Sequence, residues 1–514
     1  MKQFSMSRRK FVATAAMAAA ATRLGAQTTS VKEATLVIPS AADGPEMPAD
    51  FIGLSYEVRQ LTDPEFFSPN NEGLIRAFRE LAKNGVLRLG GNTSEFAYWK
   101  PTPESPEPEH PAVREVVGEP KATYYPVTAA AVRNLAEFLR AAGWTCLYGI
   151  GMGTNTPARA AEEAAFVAKT LGARLQYFQI GNEVDLFDRH LRDPKTWSAK
   201  IYLDEWLAMA QAITAAVPNA RFGMPDVAAN VEWLREIAAL WPTIKNPPHV
   251  TTLTHHYYFG GPATNPAVNI PNLMKQATMV KVQKTADVAT AAADKVGARV
   301  RMTEGNTCYR GGKPGVSDVF AAALWSADYS LLLASNNYSG VNLHGGTGKS
   351  VAISVGGSLP GDELLAAQGA TSAEIASHPH PFYTPIATFD GKYELEPVAR
   401  GLQFASALSG GRLFKDNFTA MLQARGVNAT GYAAAMPGDG RVVVLLNKDL
   451  EDDADVILDF GKGRSRSLIV EALQAPTIDS RDAKIAEQAH GKLGDDGRFR
   501  ISVPHASGVR VIVS

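Results

Sequence analysis

The sequence predicts an α/β fold, a (β/α)8 TIM barrel with an additional C-terminal β-sandwich domain. Three observations carry this. Between residues 46 and 409, eight short apolar runs alternate with amphipathic helical stretches, the texture of parallel strands joined by crossover helices. The carboxyl ends of those runs gather polar residues, most clearly at Asn182-Glu183 and at Thr303-Glu304-Gly305-Asn306, and that face of such a barrel carries the chemistry. From about Arg412 helical periodicity gives way to short alternating strands, as in a β-sandwich. At 514 residues the chain exceeds one ordinary core, so a large and a smaller domain are expected.

In chain order, Ala34–Ile38 is a short strand without a place in the alternation, so residues 27–45 are assigned to the sandwich. The barrel, 46–409, begins with Phe51–Glu57, a strand ending in an acid. An amphipathic helix from Asn71 stops at Asn84-Gly85, and Val86–Gly91 is the second strand. Residues 101–126, rich in Pro and Glu, form a long loop. The alternation continues with a helix over 128–142, strand Cys146–Gly151, a helix over 157–171, strand Leu175–Ile180, and a helix from about 198 to 217. Strands Arg221–Val227 and Thr251–Tyr258 follow, then a helix over 273–296, strand Val300–Glu304, a helix over 319–335 and strand Gly340–Gly346. A Gly/Pro/Ser insertion, 347–385, delays the last helix, about Glu396–Leu408. In the sandwich, 410–514, strands are expected at Phe418–Gln423, Thr430–Ala435, Arg441–Asn447, Val456–Asp459, Ser467–Ala472, Arg498–Val503 and Gly508–Ser514.

Residues 1–26 hold five basic residues and no acid, with Ser7-Arg8-Arg9-Lys10-Phe11 followed by an Ala-rich apolar stretch. This is the pattern of a twin-arginine signal peptide, cleaved near Ala26-Gln27, and implies a bacterial periplasmic or secreted protein with no membrane association after its removal. The whole chain carries a formal net charge of -1, from 51 basic and 52 acidic residues; without its first 26 residues 46 basic residues face 52 acidic ones. A mildly acidic chain without basic clusters argues against nucleic acid as a partner. Cys146 lies in a strand pattern and Cys308 in the loop after Glu304; neither has metal-site spacing, and a disulfide between them is not expected.

The candidate site is the set of strand-end residues: Glu57, Asn92, Asn182, Glu183, His255, His256, Tyr257, Glu304 and His344. Two carboxylates at the ends of separate strands, the fourth and seventh, are what glycosidic bond cleavage needs. Gly345–Ser350 tempts a phosphate-loop reading, but the first glycine of that motif falls on Leu343. Gly149-Ile150-Gly151-Met152-Gly153 lacks dinucleotide-loop spacing and reads as a turn. Adjacent strand residues point to opposite faces, so His255 and His256 do not readily share a metal; one packs and the other lines the pocket. No metal or cofactor is implied.

The stretches Leu87–Phe96 (L-R-L-G-G-N-T-S-E-F), Gln179–Val184 (Q-I-G-N-E-V), Thr254–Tyr258 (T-H-H-Y-Y) and Glu304–Gly312 (E-G-N-T-C-Y-R-G-G) together resemble glycoside hydrolase family 79, retaining β-glucuronidases and heparanases of the (β/α)8 clan. The resemblance implies Glu183 as general acid/base and Glu304 as nucleophile, with Asn182 on the sugar 2-hydroxyl. It implies that Tyr309 and the amides of Gly311 and Gly312 hold the uronate carboxylate, and that Glu57 and Asn92 contact sugar hydroxyls. Tyr383 is the candidate for a second family tyrosine. Animal heparanases have Gly where Arg310 stands, which leaves the loop shape open. The expected activity is that of an exported retaining exo-β-glucuronidase acting on glucuronic acid-bearing carbohydrate. The alternatives are an endo-acting heparanase-like or hyaluronidase-like glucuronidase, which should need a basic groove, and an inactive carbohydrate-binding barrel.

Overall fold

A computed structural model describes residues 33–228, 230–378, 381–415, 418–463 and 466–514. The twin-arginine segment, 1–26, lies outside the described residues. No helix among them is long and apolar enough to cross a membrane.

Eight parallel strands close into a barrel: Ile52–Glu57, Val86–Gly90, Thr145–Ile150, Leu175–Ile180, Phe222–Val227, Val250–Gly260, Arg299–Cys308 and Tyr338–Gly345. Each pairs with its neighbour in sequence, and the eighth returns to the first with Val341 opposite Ile52. The helices between them start where side chains can cap free backbone N–H groups. Asn71, Thr128, Thr156 and Ser198 each accept from the N–H three residues on, and Pro157 occupies a first-turn position where no donor is missed. The helix Phe320–Ser335 is apolar almost all round because it is wedged beneath helix Pro397–Ala405 and the second domain.

That domain is two facing sheets. Glu33–Val37 pairs in parallel with Ala454–Asp459, which pairs with Arg498–Val503. The larger sheet has six strands, in the order Arg412–Leu413, Ala429–Ala435, Arg441–Asn447, Ser507–Val513, Ser467–Gln474 and Lys484–Lys492. Alternate residues such as Leu36, Val456, Leu458, Val443, Leu445, Val470 and Val511 fill the space between.

Several local readings change. Phe418–Gln423 is a helix, since Phe418, Met421 and Leu422 recur at helical rather than strand spacing. The helix expected over 273–296 is two, Ile270–Met274 and Gln276–Val296. Lys484–Lys492 is an unforeseen strand; as an outer strand it has no continuous apolar face to betray it. Among the described residues, the insertion 347–385 holds three short helices, and the 101–126 loop ends in Tyr125–Thr128, which pairs with Ala97–Lys100.

The two domains are fastened by a buried charge pair. Asp328, in the helix Phe320–Ser335, accepts from Lys448 Nζ and, at 2.7 Å, from the Tyr432 hydroxyl; Asp328 and Lys448 are both inaccessible to solvent. Removing one member of such a pair leaves an uncompensated buried charge. Lys448→Met is therefore expected to destabilise the protein by about 3–5 kcal/mol, and Asp328→Leu combined with it to recover much of that loss. Guanidinium unfolding curves of the two variants check this; a single variant as stable as the wild type would remove the pair from the interface.

Candidate active site

The carboxyl mouth of the barrel opens into a cavity of about 370 Å³, lined among others by Glu57, Asn92, Glu183, Tyr258, Glu304, Tyr309, His344 and Tyr383. Its floor is organised by Arg88, the central arginine of the second strand, 1 % exposed. Nη1 donates to Glu304 Oε2 at 2.6 Å and to Ser55 Oγ at 3.1 Å; Nε donates to Gln179 Oε1 at 3.3 Å. Nη2 donates to Asn182 Oδ1 at 2.7 Å and to Asp226 Oδ2. A buried cation needs such partners, and two of them are carboxylates.

Glu304 stands directly across from His256 in register, after an irregularity in strand pairing between Met302 and Glu304. Its second oxygen, Oε1, accepts from the Tyr258 hydroxyl at 2.8 Å. Burial alone would raise its pKa, but the imidazoles of His344 and His256, the Arg88 guanidinium and the Tyr258 phenol outweigh burial and bring it down to about 2. Glu183 sits at the end of the fourth strand with φ of 51°, its N–H donating to the Asp226 carbonyl at 2.9 Å. Burial pushes its pKa above the usual carboxylate range, against the pull of His256, whose Nδ1 lies 3.0 Å from Glu183 Oε1. Two like groups are thus driven apart, one toward the acid and one toward the anion.

His256 is the hinge between them. Its Nε2 lies 3.2 Å from Asp226 Oδ2. Burial disfavours its charge, yet Asp226 and Glu304 raise its pKa to about 10, which favours the doubly protonated ring. Asp226 itself is held well below the usual range, because Arg88 and His256 outweigh its burial. Glu183, His256 and Glu304 offer ligand atoms that all lie within 4.8 Å of one another. A metal there would have to compete with Arg88 or Tyr258 for Glu304 and take a proton from His256, so the donor set fits a proton-transfer site better than an ion site.

The other sequence candidates divide. Glu57 accepts from Thr93 N–H at 3.1 Å and Thr93 Oγ1 at 2.7 Å, facing the cavity beside His344, whose Nε2 is 3.4 Å away. Asn182 is turned inward: its Oδ1 also accepts from Gly91 N–H at 3.0 Å, and its Nδ2 donates to Asn92 Oδ1 at 2.9 Å. Asn92 lines the cavity in its stead. Tyr309 and Tyr383 are in the wall, whereas Gly311 and Gly312 sit behind it, against Leu359 and Tyr383. His255 and Tyr257 do not belong to the site. His255 packs outward with Nε2 2.8 Å from the Tyr338 hydroxyl, and Tyr257 stacks on Tyr329 at 5.5 Å. Strand alternation presents His256 and Tyr258 instead.

Sequence reasoning passed over Arg88, Asp226, Tyr258 and Glu95, and left open which of His255 and His256 faces the pocket. Glu95 is buried and accepts from Met152 N–H and Asn182 N–H, both at 2.8 Å, so it fixes the chain just before Glu183. Buried charge inside a strand pattern, as in L-R-L-G-G, was the available signal.

The barrel and its sandwich are an architecture shared with solved glycoside hydrolases. The crystal structure of a 4-O-α-L-rhamnosyl-β-D-glucuronidase from Fusarium oxysporum matches with a TM-score of 0.68 at 16% identity, over 93% of this chain and 99% of that one. The GH51 arabinofuranosidase from Xanthomonas axonopodis pv. citri matches with a TM-score of 0.62 at 12% identity, over 94% and 99%. No protein-family profile matches the chain. In sequence, the chain is similar to a protein named β-glucuronidase from Aspergillus niger, 26% identical over 310 residues, covering 56% of this chain and 55% of that one. It is also similar to one of the same name from Neurospora crassa, 25% identical over 289 residues, covering 51% and 50%. These matches span about half the length of each relative, and they agree with the family-79 resemblance.

The charges make a testable statement about pH. The folded pKa of His256, about 10, lies above its unfolded value near 6.5. Its contribution to stability is therefore complete below pH ~6.5 and lost as pH rises toward 10. His256→Gln is expected to remove part of the fall in melting temperature between pH 7 and 10. An unchanged slope would show that His256 does not hold its proton in the native state.

Proposed function

We propose that the protein is an exported retaining exo-β-glucuronidase that removes terminal β-linked glucuronic acid by double displacement. The observation that carries this is the spacing of the two carboxyl groups, with one oxygen of Glu183 and one of Glu304 within 4.8 Å of each other. Retaining glycosidases hold their carboxyls about 5 Å apart, whereas inverting ones leave room for a water.

Glu304, held as an anion by His344, His256, Arg88 and Tyr258, attacks the anomeric carbon as the glycosidic C–O bond breaks. Glu183, which burial pushes toward its protonated form, gives its proton to the departing oxygen. The sugar is then an ester of Glu304. Glu183, now a carboxylate, takes a proton from water, which attacks the anomeric carbon and frees Glu304. His256 bears on both steps, because its charge stabilises the anion of Glu183 once the proton has left. Glu57 and Asn92 are the groups proposed for sugar hydroxyls, and Tyr309 and Tyr383 for the uronate.

Exo action is supported by the wall formed by Gly118 and Glu119, at the tip of the 101–126 loop. Arg189 Nη1 is 3.1 Å from Glu119 Oε1, and Gly356 packs close to the Glu119 carbonyl. A cavity closed on that side takes a chain end more readily than a chain interior.

An aryl β-glucuronide should be hydrolysed with β-glucuronic acid as the first product seen by proton NMR, and the matching glucoside far more slowly. First appearance of the α-anomer would rule out double displacement; equal rates on both sugars would remove the uronate specificity. Glu183→Ala should lower kcat/KM about 10²- to 10⁴-fold for an alkyl glucuronide. The loss should shrink for a nitrophenyl leaving group that needs little protonation. A uniform small loss would deny Glu183 the acid role.

A further inference from the structure

Two arginines line the catalytic cavity, and they differ in one respect. Arg189 is paired with Glu119 at 3.1 Å, while Arg310 has no acidic partner among the described residues. Its one hydrogen bond to a described residue runs from Nη2 to the Gly118 carbonyl, 3.0 Å long. A guanidinium carries five N–H donors in a planar fork, so most of this fork is left for something else. The place is shaped to hold it: a Cβ on Gly118 would fall 2.4 Å from Nη2. The backbone at Arg310 is left-handed, with φ of 59°, an uncommon setting for a side chain of this size. Tyr309, beside it, is 39 % exposed and borders the same space, with its ring 6.3 Å from that of Tyr258.

The two glycines expected to present amides to an acidic sugar are not in the cavity lining, which Tyr309 and Arg310 supply at this point. The charged groups facing the cavity are otherwise satisfied: Glu304 by Arg88, Glu183 by His256, and Glu57 by Thr93. We propose that Arg310 is a specificity-determining residue that binds the carboxylate of the glucuronate ring through its free guanidinium N–H groups. Tyr309 would donate alongside it. Arginine suits this task because it stays charged and matches the planar geometry of a carboxylate. The inference rests on the glucuronidase reading above, but it assigns a recognition role to a residue that the family resemblance leaves as a departure.

Arg310→Gly tests it without endangering the fold, since glycine adopts the left-handed φ without strain. For phenyl β-glucuronide, kcat/KM should fall about 10- to 100-fold, the usual effect of losing a charge-assisted hydrogen bond. The slow hydrolysis of phenyl β-glucoside, which lacks the carboxylate, should change little, and Arg310→Lys should recover part of the loss. Glucuronic acid titrated into each protein should bind the glycine variant correspondingly more weakly. An equal loss on glucuronide and glucoside would make Arg310 a part of the wall only and overturn the proposal. So would an unchanged affinity for glucuronic acid, or a loss confined to glucuronides whose leaving group is itself acidic. Failure of the activity reading is separate: it is a wild type that cleaves no glucuronide, and the binding measurement still decides Arg310.

Discussion

The site depends on a single buried cation. Arg88 reaches residues of the first, fourth, fifth and seventh strands from its place on the second, so one side chain ties most of the barrel mouth together. Its charge is tolerable in the interior because Asp226 and Glu304 neutralise it. It also joins the imidazoles of His344 and His256 in keeping Glu304 an anion, since a carboxylate at such depth needs compensating groups in contact. The glycine two residues on belongs to the same constraint: a Cβ at Gly90 would fall 2.1 Å from the Arg88 guanidinium carbon. The motif L-R-L-G-G is thus a packing unit as much as a catalytic one.

Irregular backbone aims the remaining groups. Strand pairing slips between Pro225 and Val227 and again between Met302 and Glu304, which brings Asp226 and Thr303 together through a hydrogen bond from the Thr303 hydroxyl. Glu183 and Asp226 both have left-handed φ, 51° and 63°. Conformations of this kind persist only where surrounding contacts hold them. Here the Glu183 N–H donates to the Asp226 carbonyl, and the Asp226 N–H donates to Thr254 Oγ1 at 3.0 Å. The acid and its neighbour therefore keep each other in place.

How much of this was legible follows from what each signal measures. Eight strands, their order and the two Glu positions are written in periodicity and in polar strand ends, which depend on local sequence alone. The face presented by the sixth strand was not. His255 and Tyr257 share a parity, His256 and Tyr258 the other, and a run of four polar aromatic residues gives no apolar alternation to choose between them. Partners distant in sequence were also hidden: Arg88 and Glu304 lie 216 residues apart, and neither position names the other. Phe418–Gln423 read as a strand because six residues next to strands supply too short a window for helical spacing to stand out.

The least regular stretch proves to be the most specific. Residues 101–126 read as a structureless Pro- and Glu-rich loop, yet polar contacts hold it across the mouth. Arg114 Nη2 donates to the Arg192 carbonyl at 3.1 Å as well as to the Asp188 carbonyl, at 2.6 Å, and His110 stacks on Tyr124 at 3.4 Å. The loop then delivers the Gly118 carbonyl to Arg310 and the Glu119 carboxylate to Arg189, binding the segments that follow the seventh and fourth strands. Those segments lie within six residues of Glu304 and Glu183. The loop that closes the cavity is therefore braced against the two chain segments that carry the carboxyls, so the shape offered to a sugar and the spacing of the groups that would cleave it are set by one framework. Specificity on such a barrel is carried by loops, and here the loop is held by arginines that follow the fourth and seventh strands.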